Sequence, residues 1–146
     1  MRYLSFIFLL VISMTLSAAE QTASQALAEF AWQKRQLIVF TPNQQNEAFK
    51  RFQAFKTEYA DDFAERKLQV WTIEAGKPVL LEGKQKSRVT AKAFYDRFAV
   101  KAGEFRVVLI GYDQGEKLRQ RAFNIDDLLG EIDQMPMRRQ EIRSQD

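Results

Sequence analysis

The densest run of side chains able to do chemistry is Ile132-Asp133-Gln134-Met135-Pro136-Met137-Arg138-Arg139-Gln140-Glu141. Two adjacent guanidinium groups, each a rigid fork of donors, suit a carboxylate or a phosphate. The flanking acids Asp133 and Glu141 offer a second reading, in which they pair with Arg138 or Arg139 and lock the C-terminal turn to the body. Sequence leaves both open. Trp32 and Arg35 form a second candidate pair, expected to anchor an N-terminal helix by packing, with ligand stacking as the alternative. The binding candidates are therefore Trp32, Arg35, Asp133, Arg138, Arg139 and Glu141, and no residue stands out as catalytic.

What the chain lacks narrows the chemistry further. Its 146 residues include no cysteine and no histidine. That removes thiol nucleophiles, disulfides, thiolate and imidazole metal sites and the Ser-His-Asp triad. The acids Asp61-Asp62, Asp113, Glu116, Asp126-Asp127 and Asp133 show none of the alternating spacing of a calcium loop. No metal and no cofactor is expected. Carboxylates can still meet in space, so a carboxylate- or Arg/Tyr-dependent enzyme stands as the alternative to a binding module.

The elements that must position these groups follow from periodicity. Residues 21–25 are polar and read as loose. Leu27, Phe30 and Ala31 recur at helical spacing and predict a short N-terminal helix. Leu37-Ile38-Val39-Phe40 suits a strand buried on both faces. A long helix is expected from about Gln45 to Arg66, its Phe49, Phe52, Phe55, Tyr59 and Phe63 forming an aromatic core stripe. Residues 68–73 alternate as a second strand, parallel to the first through the crossover helix.

Residues 74–92 carry Lys77, Lys84, Lys86, Arg88 and Lys92 and read as a basic loop, with Val79 to Leu81 as a short strand or an inward tuck. Thr90 is placed to cap a helix through Phe98. Phe105–Tyr112, the turn Asp113-Gln114-Gly115 and Glu116–Phe123 form a hairpin. Asn124 caps a last helix with the stripe Leu128, Leu129, Ile132 and Met135, and Pro136 halts it and opens a fresh turn. The order from Leu37 is β-α-β-α-β-β-α, which makes the expected fold α/β and thioredoxin-like: a mixed four-stranded sheet with helices on both faces and an extra N-terminal helix.

The N-terminus gives an address. Arg2 precedes an apolar stretch from Leu4 to Leu16, and Ser17-Ala18-Ala19 supplies small residues before a cut. Residues 1–19 are expected to be a cleaved signal peptide and 20–146 a single domain, periplasmic or secreted. A membrane anchor is the competing reading of that stretch. Cleavage removes Arg2 and leaves 21 basic against 19 acidic side chains. So even a balance, together with export, argues against a nucleic-acid partner. A protein or an acidic envelope polymer is expected instead, with membrane contact only through an uncleaved leader.

Three segments carry a closer resemblance: Trp32-x-x-Arg35-x-Leu37-x-Val39-Phe40, Phe105-x-Val107-x-Leu109-Ile110-Gly111-x-Asp113-x-Gly115-x-Lys117, and the closing Ile132-Asp133-x-Met135-Pro136-Met137-Arg138-Arg139-x-Glu141. In these the chain resembles a domain family of unknown function. That family occurs in small exported bacterial proteins and in animal extracellular proteins with sushi repeats or of the coiled-coil-domain matrix type. The resemblance spans residues 28–142 and implies a thioredoxin- or peroxiredoxin-like fold with no established activity. Such oxidoreductases keep their reactive cysteine where the first strand meets the long helix and a cis-proline before the third strand. Here those places read Thr41-Pro42-Asn43-Gln44-Gln45-Asn46 and Val100-Lys101-Ala102-Gly103-Glu104. Asn43 or a neighbour is expected merely to cap the helix. Thiol peroxidase and disulfide-exchange chemistry is excluded by composition.

Overall fold

The computed structural model describes residues 19–145, so the expected leader, apart from Ala19, lies outside the described residues. Helix α1 (Ala23–Ala28) leads into strand β1 (Arg35–Phe40), then α2 (Glu47–Glu58), α3 (Ala60–Glu65) and β2 (Leu68–Ile73). Strands β3 (Pro78–Leu81) and β4 (Lys84–Thr90), α4 (Ala91–Phe98), β5 (Arg106–Ile110), β6 (Glu116–Gln120), α5 (Ile125–Gln134) and α6 (Pro136–Arg143) complete the order. The six strands form one sheet, β4-β3-β2-β1-β5-β6.

The four strands expected from sequence lie side by side as β2-β1-β5-β6. β1 runs parallel to β2, from Arg35 opposite Leu68 to Phe40 opposite Ile73, and antiparallel to β5. Alternation along β1 sends its side chains to two cores. Ile38 and Phe40 pack with Leu27 of α1 and Phe94 and Phe98 of α4. Leu37 and Val39 pack with Phe49, Phe52, Phe63 and Leu128 from α2, α3 and α5 on the other face. A strand apolar at every one of these positions can sit only in the middle of a doubly covered sheet.

The sheet has six strands rather than four because residues 78–90 are not a loop. Glu82 and Gly83 both have positive φ, 48° and 76°, the left-handed pair that closes a two-residue hairpin between Leu81 and Lys84. The Glu82 carboxylate then accepts a 2.5 Å hydrogen bond from the Val70 amide of β2 and pairs with Lys56. Charge along β4 masked the strand, yet its own Val89 and Val79 of β3 are buried. β4 is one of the two outer strands, its outer edge met by a single bridge from Gln21 to Val89, and it accommodates lysines there.

Two helices also differ from expectation. Residues 23–25 are helical rather than loose, because Thr22 and Gln25 form a reciprocal capping box at the start of α1. The long helix divides at Tyr59, where the backbone reaches φ −103°, ψ 28°. Hydrogen bonds from Tyr59 N–H to Phe55 O and from Phe63 N–H to Tyr59 O carry across the division, so the aromatic stripe stays on the sheet. Thr90 and Asn124 cap α4 and α5 as expected.

Candidate functional site

At the β1–α2 junction the polar side chains are spent on local structure. Thr41 Oγ1 donates to Asn43 O, Asn43 Oδ1 accepts from Gln45 N–H, and Asn46 Oδ1 caps α2 through Phe49 N–H. The place where a thioredoxin-like oxidoreductase carries sulfur is here a capped helix start.

The closing motif is where polar chemistry concentrates. Pro136 occupies the first position of α6, where its missing N–H costs nothing, and Met135 turns the chain between α5 and α6. The turn folds α6 back so that Arg138 is 2 % exposed. Its guanidinium bonds the Glu65 carboxylate, reaches Asp133 Oδ1 at 3.3 Å and lies 3.7 Å from Glu141. Asp133 also takes a two-pronged bond from Arg66, Nε at 3.0 Å and Nη2 at 2.8 Å. Glu141 accepts from Tyr112 Oη at 2.5 Å and from Arg35 Nη1 at 3.1 Å.

Arg35 itself is fully buried, and its Nη1 further donates to Arg66 O and to Tyr112 Oη. Its Nε and Nη2 are buried without a hydrogen-bond partner among the described residues. The guanidinium lies 4.1 Å from the centre of the Tyr112 ring.

The network sets the ionisation of its members. Tyr112 is pushed up to about 12, first by burial and then by its bond to Glu141, so it remains a protonated donor. Burial opposes ionisation of Asp133, but the bonds and charges of Arg66 and Arg138 outweigh it and hold the carboxyl below its ordinary range. Glu141 is lowered in the same way: burial opposes, and the Tyr112 hydroxyl and Arg35 prevail.

A carboxylate held below its unfolded value contributes stability above that value and loses it as pH falls through the lower, folded one. The difference in urea midpoint between the wild type and an Asp133→Asn/Glu141→Gln variant is therefore expected to be largest above pH 4.5, the ordinary value for Glu141, and to shrink on acidification. A difference independent of pH between 6 and roughly 3 refutes the linkage.

Beside the network opens a cleft of about 570 Å³. Its walls include Trp32, Tyr112, Met135, Pro136 and Met137, with Arg35 among the polar groups. Trp32 does not pack as sequence suggested. It is 66 % exposed, because its backbone takes the left-handed conformation (φ 62°) and its N–H is tied to Tyr112 O. Across the opening, Met137 is 42 % exposed. On the rim, the Lys117 stem crosses Gly111 so closely that a Cβ there would lie 2.7 Å from Lys117 Cε, while Lys117 Nζ pairs with Asp113 at 2.8 Å.

Of the sequence candidates, Arg35, Asp133, Arg138 and Glu141 meet in one network, Trp32 stands at the adjoining cleft, and Arg139 points to solvent. Arg138 and Arg139 therefore form no joint fork. The expectation that Asp133 and Glu141 pair internally holds for Arg138. Sequence reasoning missed Glu65, Arg66 and Tyr112. The signal for Tyr112 was available, as a hydroxyl-bearing aromatic just past the apolar run of residues 107–110.

The fold and the site together define a thioredoxin-like scaffold with a capped helix start where the sulfur centre would lie, and with an ion-pair network and an apolar cleft at the other end of β1. The chain belongs to the family described as domain of unknown function DUF4174, whose model matches residues 26–141. Among solved structures it is similar to the reduced 2-Cys peroxiredoxin of Plasmodium vivax, with 14 % identity and a TM-score of 0.60 over 78 % of this chain and 84 % of that one. The likeness is one of fold. No curated protein matches the chain.

Proposed function

We propose that this protein is an exported, non-redox binding module that captures a partner at the Trp32–Met137 cleft. One observation carries the reading: three segments far apart in sequence (Trp32 to Arg35, Gly111 to Lys117, Glu131 to Met137) converge there around an exposed tryptophan. Exposed aromatics beside a concave apolar surface are the usual anchors of recognition. The acids nearby support binding over catalysis, because Asp133 and Glu141 are held ionised by arginines and Tyr112 is held protonated. A general acid–base pair needs groups poised near neutrality.

A protein partner fits the cleft better than an acidic polymer, since the arginines there already have internal counter-ions. The polymer reading draws its support from β4, where Lys84 and Arg88 are exposed and make no ion pair among the described residues.

Photo-crosslinking in the native envelope tests the proposal. A crosslinker at Met137 is expected to give a discrete adduct that one at Lys50 on α2 does not, and Trp32→Ala should weaken capture at least about tenfold. The same substitution should move stability by no more than about 0.5 kcal/mol, as the side chain is exposed. Equal adducts from both sites overturn the reading. Export is tested separately by mass: the mature chain should begin at Glu20, and an intact Met1 refutes it.

A further inference from the structure

We infer that the ligand of this cleft is an uncharged peptide segment, placing a large apolar side chain beside Trp32 and offering a backbone carbonyl to Arg35. The inference rests on the reading of the cleft as a binding site. Its first support is the imbalance within Arg35. All its recorded bonds use Nη1, while Nε and Nη2, neighbouring donors on one edge of the guanidinium, are buried without an acceptor among the described residues. Buried donors left unmade cost about 1–3 kcal/mol each, and Arg35 is part of the cleft wall.

The second support is charge. Arg35, Arg66, Lys67 and Arg138 are met by Asp62, Glu65, Asp133 and Glu141, four against four. Lys117 on the rim is taken by Asp113, and Glu131 lines the cleft as a further acid. A carboxylate or phosphate entering here finds no surplus cation, whereas a neutral carbonyl can accept from Arg35 without disturbing the balance. The third support is the wall itself, in which Trp32, Met135, Pro136 and Met137 offer apolar contact and a thioether that adapts to varied side chains. An apolar surface with few convergent donors, of this size, is the ordinary form of a site for a short peptide or small molecule.

The two tryptophans make the test direct, since Trp71 is fully buried and acrylamide reaches only Trp32. The probe is Ac-Ala-Phe-Ala-NH2, with Ac-Ala-Asp-Ala-NH2 and the free acid Ac-Ala-Phe-Ala-OH as comparisons. The phenylalanine amide is expected to shield Trp32 from acrylamide saturably and to shift the Arg35 Nε–H resonance. The aspartate peptide should bind at least about tenfold more weakly, and Met137→Glu, a change at an exposed position, should remove the shielding. Tighter binding of the free acid than of the amide overturns the neutral-carbonyl assignment, as does shielding of Trp32 with an unmoved Arg35 resonance. If no peptide shields Trp32 while crosslinking from Met137 still gives its adduct, the peptide inference falls and the binding reading stands. If the adduct is also missing, both fall.

Discussion

Replacing Arg138 by alanine should cost about 2–3 kcal/mol of unfolding free energy, while Arg139→Ala, one residue along, should stay within about 0.5 kcal/mol. Arg138 is buried between α5 and the end of α3, where it serves Glu65, Asp133 and Glu141 together. Truncation would leave those carboxylates with fewer counter-ions and open a cavity under α6. Glu65 and Asp133 are themselves partly exposed and Asp133 keeps Arg66, so the loss comes chiefly from the packing and hydrogen bonds of the buried guanidinium. Arg139 is exposed and keeps only the influence of a surface charge. Urea unfolding of the two single variants measures the split, and equal losses would show that α6 is not held by Arg138. Arg138→Met separates packing from charge: it restores volume without the bonds to Glu65 and Asp133, so it should recover only part of the loss.

The second large effect is expected on the opposite face of the sheet. Trp71 is fully buried among Phe30 and Phe94, with ring centres 6.2 and 5.3 Å away, and its Nε1 donates to Gln36 Oε1 at 2.8 Å. Gln36 in turn donates from Nε2 to Leu27 O and accepts from Gln69 at 3.3 Å, so one amide ties β1, β2 and α1. Trp71→Ala should cost about 3–5 kcal/mol through lost burial and the cavity left behind. Gln36→Leu keeps the volume but strips the indole N–H of its acceptor, a penalty of about 1–3 kcal/mol, while the Leu27 carbonyl keeps its bond from Phe30 N–H. Trp71→Phe combined with Gln36→Leu should be less damaging than the sum of the single changes, because the orphaned indole donor is removed with its acceptor. Thermal unfolding of the cycle decides the matter, and strict additivity would mean that the bond contributes nothing.

The parts of the fold legible in sequence were those with a strong period. Leu37 to Phe40, apolar at every position, announced a central strand, and Thr90, Asn124 and Pro136 marked helix boundaries by side-chain chemistry that acts locally. β4 was hidden because Lys84, Lys86 and Arg88 look like a solvated loop until Leu81 and Lys84 are seen paired across a left-handed turn. The site was half legible. Its residues could be chosen by type, but Arg35 and Glu141 lie 106 positions apart and only the sheet brings them together. Trp32 was misplaced because its exposure depends on a positive φ, which sequence gives no reason to expect of tryptophan.

The basic outer strand also bears on self-association. A second copy aligning along β4 would have to set Lys84, Lys86 and Arg88 against the same cations of its neighbour. Among the described residues that margin is met by Gln21, whose N–H donates to Arg88 O, and along the rest of the strand mutual repulsion opposes further growth of the sheet. The safeguard weakens as salt rises and the repulsion is screened.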